Sequence, residues 1–172
     1  AKLQNFQPRS FQGQVVMVTG AGSGIGAATA RAFYEQGACI IVLDINSKLS
    51  ELVAKEVDGL SLVCDVTKPK DVGRAFDIAC QTFGGIDIVV SNAGAAWQGE
   101  IGTVDERIIR ESFELNFFAH QPLKVVLRNL PLQCTSVSEL TEGPAGTLLS
   151  ASEVDNCIEP RSQHTTPYHT TL

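Results

Sequence analysis

The stretch VTGAGSGIG, from Val18 to Gly26, is the part of the sequence that decides the fold. It places four glycines on alternate positions directly after QVVMVT (Gln14 to Thr19), a short apolar run typical of strands that are buried on both faces. The following IGAATARAFYEQ (Ile25 to Gln36) carries apolar and small residues at helical spacing before a glycine ends it. The stretch therefore predicts a strand, a glycine turn and a helix in succession.

The same alternation of strand and helix continues to about residue 120. Further strands are predicted at Cys39–Asp44 and Leu60–Asp65, and Ile86–Gly94 is predicted as a fourth strand that runs into a glycine turn. Further helices are predicted at Ser47–Val57, with Ser47 as N-cap, and at Lys68–Gly84, with Pro69 near its N-terminus. Strands that alternate with helices in this way imply a parallel sheet that helices cover on both faces. The predicted fold class is α/β with a doubly wound parallel sheet.

Composition points to one soluble domain that binds small molecules. The chain has 172 residues, of which 44% are hydrophobic and 19% charged, enough for a single core. We expect an N-terminal arm at 1–12, a core at 13–121 and an atypical tail at 122–172. The net charge of −6 gives no reason to expect nucleic acid or an anionic membrane as partner. No apolar run approaches the roughly 20 residues of a membrane span, which favours a cytoplasmic location.

The cysteines predict neither disulfides nor a metal centre. Their number is odd and they form no CxxC pair, which is typical of reduced thiols. Cys157, His164 and His169 are conceivable metal ligands by residue type, but their spacing matches no recognised zinc pattern, so no metal is expected. The five cysteines are Cys39, Cys64, Cys80, Cys134 and Cys157.

Unusual residues follow each predicted strand, where parallel sheets bind their ligands. A glycine cluster alone is often only a tight turn, and a carboxylate or asparagine at a strand end is often a helix cap or turn former. Such residues after four successive strands instead favour one crevice for a dinucleotide. They are Gly20, Gly24 and Gly26 after the first strand, Asp44 after the second, Asp65 after the third, and Asn92, Ala93 and Gly94 after the fourth.

Each group has a physical task in such a site. The glycines let the backbone approach a pyrophosphate, which the helix N-terminus attracts with its N–H groups and partial positive charge. Asp44 is placed to accept hydrogen bonds from the adenosine ribose and to repel a 2′-phosphate, which favours NAD over NADP. Asp65 is expected to accept from the adenine amino group. The neighbouring Ser23, Ile25, Ile45 and Val66 complete the predicted cofactor contacts.

These motifs resemble those of the short-chain dehydrogenase/reductase family over about residues 11 to 121. Val18 to Gly26 resembles its TGxxxGxG turn, CDVT (Cys64 to Thr67) its adenine-side motif, and SNAG (Ser91 to Gly94) its NNAG motif. Asn116 falls where the family keeps an asparagine in its fourth helix. The resemblance implies a Rossmann-like fold, NAD as cofactor, and hydride transfer between the nicotinamide and a small alcohol or carbonyl compound.

Within that family, two segments look most like the dehydrogenase part of bifunctional sugar-phosphate aldolase/dehydrogenases. They are SNAGAAWQGEIG (residues 91–102) and ESFELNFFAHQ (residues 111–121). The resemblance suggests a small hydroxyaldehyde such as lactaldehyde as substrate. It also suggests that the chain is part of a longer polypeptide, with a homo-oligomer as the other option.

The family's catalytic tyrosine and lysine are where the sequence departs from the pattern. The family uses a tyrosine as general acid/base, and a lysine one helical turn later lowers its pKa. No Tyr-x-x-x-Lys occurs here, because Tyr34 is followed by Ala38 and Tyr168 by Leu172 at the lysine position. GTLLSAS (residues 146–152) still resembles the strand that leads to the family's serine. By resemblance, the candidate catalytic residues are Asn116, Ser152 and Tyr168.

The chain beyond Pro122 differs in kind from the part before it. Pro122 is expected to interrupt the fourth helix, and the residues after Pro131 are rich in Ser, Thr and Pro. The fold is therefore expected to be C-terminally truncated or degenerate, and a truncation, a frame change and a divergent tail all remain open. The tail, a partner chain or a missing domain is expected to cover one sheet face. Two functions follow: an NAD-dependent oxidoreductase, or a catalytically inactive NAD-binding module or fragment of a longer dehydrogenase.

Overall fold

A parallel sheet of four strands forms the centre of the molecule. The computed structural model of the chain describes residues 10–100 and 102–123. The strands are β1 (Val15–Thr19), β2 (Cys39–Asp44), β3 (Leu60–Val63) and β4 (Ile88–Val90). Their order in the sheet is β3-β2-β1-β4, and all three neighbouring pairs are parallel. The predicted α/β fold with a parallel sheet is confirmed.

Helices cover both faces of this sheet because alternate strand residues face opposite ways. Val16 and Val18 of β1 pack in one core with residues of the first two helices, whereas Val15 and Met17 pack in a second core around Phe76 of the third. All five are almost completely buried. The helices are α1 (Gly24–Glu35), α2 (Ser47–Glu56), α3 (Pro69–Phe83) and α4 (Glu106–Phe113), followed by a π-helical turn (Glu114–Phe118).

The helix ends follow local chemistry, with one correction. Asn46, not Ser47, is the N-cap of α2, because Asn46 keeps an extended backbone and its side chain accepts a hydrogen bond from the Leu49 N–H at 3.2 Å. Pro69 lies in the first turn of α3, and Gly84 ends that helix in the left-handed conformation, both as expected.

The fourth helix is distorted one turn before Pro122 and not at Pro122 itself. Residues 120–123 are helical, while the Ala119 N–H donates to the Glu114 carbonyl at 2.8 Å across the π-helical turn. Proline lacks an N–H and crowds the carbonyl of the preceding turn, and a widened turn at that point is one way to accommodate it. Ala119 and Leu123 consequently pack into the core beside Phe76.

Strand β4 forms one edge of the sheet within the described part of the chain. Its residues are only half-buried, whereas β1 is buried throughout. The entry into β4 is anchored by Asp87, whose side chain accepts a hydrogen bond from the Val15 N–H at 2.8 Å. Among the described residues no helix has the length and apolar character needed to cross a membrane.

Candidate cofactor-binding crevice

A crevice of about 850 Å³ runs along the carboxyl ends of the four strands. The structure brings all the described candidate residues together in its walls. They are Gly20, Ser23, Gly24, Ile25, Gly26, Asp44, Ile45, Asp65, Val66, Asn92, Ala93, Gly94 and Asn116. The two remaining candidates, Ser152 and Tyr168, lie outside the described residues, as do Cys157, His164 and His169.

The glycines after β1 serve two different purposes. A Cβ atom on Gly20 would lie 2.9 Å from the Cα atom of Ala93, and one on Gly26 would overlap the carbonyl oxygen of Gly20. Glycine is therefore required at these two positions so that the turn and helix can pack against the neighbouring backbone. Gly24 has a φ of +54°, but a Cβ there would meet no atom of the described residues within 4 Å. At Gly24 the backbone faces the open crevice.

The N-terminus of α1 is available to an anion. Its N-cap residue, Ser23, makes no capping hydrogen bond with its side chain to any described residue, and the first turn holds no acidic residue. In contrast, α2 and α4 begin with side-chain caps from Asn46 and Asp105. The first N–H groups of α1 and their partial positive charge thus point at the crevice without a side-chain partner, the arrangement that binds phosphate groups in other proteins.

Backbone amides hold the carboxylate of Asp44 at the end of β2. One oxygen accepts from the Gly22 N–H and the other from the Asn46 N–H, each at 2.9 Å. A Cβ atom on Gly22 would lie 2.9 Å from Asp44 Cγ, so this approach requires glycine. Gly22 was not among the predicted residues, although it belongs to the same glycine turn.

Asp65 and Cys64 line the crevice near β3 with opposite electrostatic properties. Asp65 accepts hydrogen bonds from the Thr67 hydroxyl at 2.6 Å and its N–H at 3.0 Å, and Lys68 Nζ lies 3.1 Å from its other oxygen. The Thr67 hydroxyl is the main cause that lowers the pKa of Asp65. Burial raises the pKa of the Cys64 thiol to about 11, and the charge of Asp71 adds to this. At neutral pH Asp65 is charged and Cys64 is an unreactive thiol.

Thr19 joins the glycine turn to the loop after β4. Its hydroxyl accepts hydrogen bonds from the N–H groups of Asn92 at 2.9 Å and Ala93 at 3.0 Å, and the Asn92 side chain donates to the Thr19 carbonyl at 3.0 Å. Thr19 is completely buried. The prediction missed this residue, for which the available signal was a hydroxyl at the end of an apolar strand.

Asn116 holds the same loop from the other side. Its side chain accepts from the Ala95 N–H at 3.0 Å and donates to the Ala95 carbonyl at 2.9 Å. A Cβ atom on Gly94 would lie 2.7 Å from the Asn116 side-chain oxygen, so the loop approaches this side chain closely. In the described structure Asn116 positions the loop, and its catalytic role stays a prediction.

The crevice also contains residues that the sequence did not single out. Trp97 from the loop after β4, together with Glu111 and Glu114 from the fourth helix and its π-helical turn, lines the same space. Among the described residues, no group of three or more His, Cys, Asp or Glu is placed to hold a metal ion.

Comparison with known proteins identifies the family that this fold and crevice define. Residues 14–131 match the model of the short chain dehydrogenase family, which is more than half of the chain. The chain belongs to this family of oxidoreductases, and its fold is that of the family. The predicted resemblance is thereby confirmed, whereas the finer likeness to the bifunctional aldolase/dehydrogenases stays a prediction.

Relatives and solved structures agree with this assignment. The chain is 41% identical over 86 residues to a mitochondrial borneol dehydrogenase from Lavandula x intermedia, covering 50% of this chain and 33% of the relative. It is 37% identical over 115 residues to the short-chain dehydrogenase reductase ATA1 from Arabidopsis thaliana, covering 66% of this chain and 42% of the relative. The crystal structure of a hydroxysteroid dehydrogenase from Escherichia coli matches with a TM-score of 0.62 and 30% identity, covering 68% of this chain and 52% of that one. The chain spans less than half the length of these two curated relatives.

Proposed function

We propose that this chain binds NAD in the crevice and belongs to an enzyme that transfers a hydride between the nicotinamide and a small alcohol or carbonyl compound. The proposal rests on three features that lie together at the carboxyl ends of β1 and β2. Gly24 presents open backbone, the adjacent α1 N-terminus has no side-chain cap among the described residues, and Asp44 is fixed beside them by two amides. Together they fit a pyrophosphate next to an adenosine ribose.

Residues at different strand ends would bind different parts of the dinucleotide. The N–H groups around Gly24 would hold the pyrophosphate, and Asp44 would accept hydrogen bonds from the ribose hydroxyls. Since the sheet order is β3-β2-β1-β4, a dinucleotide anchored at the end of β2 extends toward the loop after β4, which Thr19 and Asn116 hold in place. When bound, the nicotinamide supplies or accepts the hydride.

The catalytic groups are proposed from the family resemblance. Asn116 lines the crevice at its β4 end. Ser152 is proposed to hold the substrate oxygen and Tyr168 to exchange its proton, and both lie outside the described residues.

A second function, NAD binding without turnover, is favoured by one observation. No Tyr-x-x-x-Lys occurs in the 172 residues, so this chain lacks the lysine that makes a phenol an effective base near neutral pH. One assay distinguishes the two functions. Formation of reduced nicotinamide from NAD and an alcohol supports the enzyme, whereas NADH binding without any turnover supports the binding module.

The proposal also covers the cellular location, the domain organisation and the assembly of the chain. A cytoplasmic location and a single domain over residues 1–172 are part of the proposal, and the length and hydrophobic content of the chain support the single domain. The half-buried β4 supports an assembly in which this edge is covered, either in a homo-oligomer or within a longer polypeptide.

A pair of glycine substitutions tests the cradle. Gly24→Ala places a methyl group in the open crevice at a left-handed backbone position, so we expect NADH affinity to fall by at least about tenfold. Gly84→Ala is the matched control, because Gly84 has a φ of +74° and its added Cβ likewise meets no described atom within 4 Å, but it lies at the far end of α3.

Both variants place alanine at a left-handed backbone position, but only Gly24→Ala adds a methyl group inside the crevice. Calorimetric titration with NADH measures affinity, and thermal unfolding checks that both variants fold. Equal NADH affinity of folded Gly24→Ala and Gly84→Ala would refute the cradle.

A further inference from the structure

The β4 end of the crevice has an aromatic wall. Trp97 follows β4 and lines the crevice with 38% of its surface exposed, next to Ala95 and Ala96. Because β4 lies two strands away from β2, where Asp44 marks the proposed adenosine side, this wall belongs to the opposite end of the crevice. An indole ring offers a large rigid face on which an apolar or aromatic compound can pack.

The charged residues of the crevice all have the same sign. Four of the described lining residues are ionisable acids, namely Asp44, Asp65, Glu111 and Glu114, and no Lys, Arg or His is among the described residues in the lining. Glu111 and Glu114 line the same crevice as Trp97 and belong to the helical segment whose Asn116 is hydrogen-bonded to Ala95, two residues before Trp97. A negative group entering this end would meet like charge in a partly enclosed space.

Among the described residues, Arg107 pairs with Glu111 but does not cancel the charge of the crevice. Arg107 Nε is 3.9 Å from a Glu111 carboxylate oxygen, and both side chains are more than half exposed. An exposed pair at this separation is weak, and Arg107 is not part of the crevice lining.

We infer that the β4 end of the crevice takes an uncharged alcohol or carbonyl compound with an apolar face packed on Trp97, and that Glu111 and Glu114 discriminate against carboxylated and phosphorylated compounds. The inference rests on the proposed function, and it narrows the substrate class of the same crevice. It runs against a sugar phosphate as the substrate.

The chain provides its own reporter for this inference. Trp97 is the only tryptophan in the sequence, so tryptophan emission reports on this wall alone. The full chain is titrated with benzyl alcohol and, separately, with para-(hydroxymethyl)benzoate, which adds a carboxylate to the same ring. Both titrations are run with and without saturating NADH, whose own binding is measured by calorimetry on the same sample.

We expect benzyl alcohol to change the Trp97 emission at a concentration at least about fivefold lower than the benzoate requires. Combining Glu111→Gln with Glu114→Gln should reduce this gap to about twofold or less, because charge is removed while size is kept. Glu35→Gln is the matched control, since Glu35 is the last residue of α1, away from the crevice, and should leave the gap unchanged.

Three results would overturn the inference: equal or tighter binding of the benzoate, an unchanged gap in the double variant, or no emission change with either compound. Failure of the proposed function has a different signature. In that case NADH would not bind in the calorimeter, while the gap between the two alcohols would persist.

Discussion

Backbone amides hold the side chains of Asp44 and Thr19 in place. The Asp44 carboxylate accepts one hydrogen bond from a backbone N–H in each of two loops. The Thr19 hydroxyl accepts hydrogen bonds from two backbone N–H groups of the loop after β4. A side chain fixed in this way cannot turn toward solvent without leaving buried or half-buried amides unpaired. The polar groups of the crevice are therefore in place before any ligand enters.

Removing the charge of Asp44 should weaken the proposed preference for NADH over NADPH. Asp44→Asn keeps the size of the side chain but no longer repels a 2′-phosphate, so the NADPH to NADH affinity ratio should rise by about tenfold. Calorimetric titration of both cofactors measures the ratio, with Asp77→Asn, an exposed acid of α3 outside the crevice, as control. An unchanged ratio in Asp44→Asn would remove this residue from the ribose site.

Removing the Thr67 hydroxyl should raise the pKa of Asp65 toward its ordinary value, because that hydroxyl is the main cause of the lowered pKa. Carbon NMR titration of the carboxyl group in Thr67→Val measures the shift. The same change at Thr82, whose hydroxyl donates to the Ile78 carbonyl, should leave it unaffected. An Asp65 pKa that does not move in Thr67→Val would contradict the assignment.

The lowered pKa also fixes the sign of a stability effect. Asp65 stabilises the fold above the pKa that it has in the unfolded chain, and this contribution is lost as the pH falls through its lower folded-state pKa. Thr67→Val should therefore cost stability at neutral pH, and the part due to Asp65 ionisation should disappear in acid.

The residue scale also shows what sequence reasoning could and could not find. Gly24 and Asp44 could be singled out because Gly24 belongs to the glycine turn that follows one apolar strand and Asp44 is the last residue of the next. Gly22 and Thr19 were not, since their importance comes from partners 22 and 73 residues away. Only the folded chain reveals such long-range contacts.

Among the helices and strands, those with strong patterns were predicted best. The strands β1 and β2 and the helices α1, α2 and α3 lie within a residue or two of the predictions, because buried apolar runs and capping residues mark them. β3 ends two residues earlier than predicted, because the residues after Val63 already belong to a crevice loop. β4 begins at Ile88 rather than at Ile86 and leads into the loop with the predicted glycine turn. The residues before Pro122 carry no recognisable sequence signal for the π-helical turn.

The anchor between β1 and β4 gives a prediction at this scale. Asp87→Ala removes the acceptor for the Val15 N–H at the start of both strands, so the free energy of unfolding should fall by at least about 1 kcal/mol. Asp87→Asn keeps an acceptor oxygen and should lose less. Urea unfolding measures both variants, and an equal loss in the two would show that the hydrogen bond to Val15 is not what stabilises this junction.

In the described part of the chain, all four strands end at the crevice. The glycine turn, Asp44 and the SNAG loop could be assigned to it in advance because parallel strands end at the same edge. The aromatic wall and the two carboxylates could not, because Trp97, Glu111 and Glu114 come to line the same crevice only where the fourth helical segment lies against the loop after β4. The expectations for the tail, including Ser152 and Tyr168, lie outside the described residues.

Calorimetric titration of the full chain with NADH and, separately, with NADPH tests the central claim most directly. The proposed function predicts micromolar binding of NADH and much weaker binding of NADPH, because the glycine turn and α1 would hold the pyrophosphate while Asp44 would repel the additional phosphate. Binding of neither cofactor, or equal binding of both, would contradict this account.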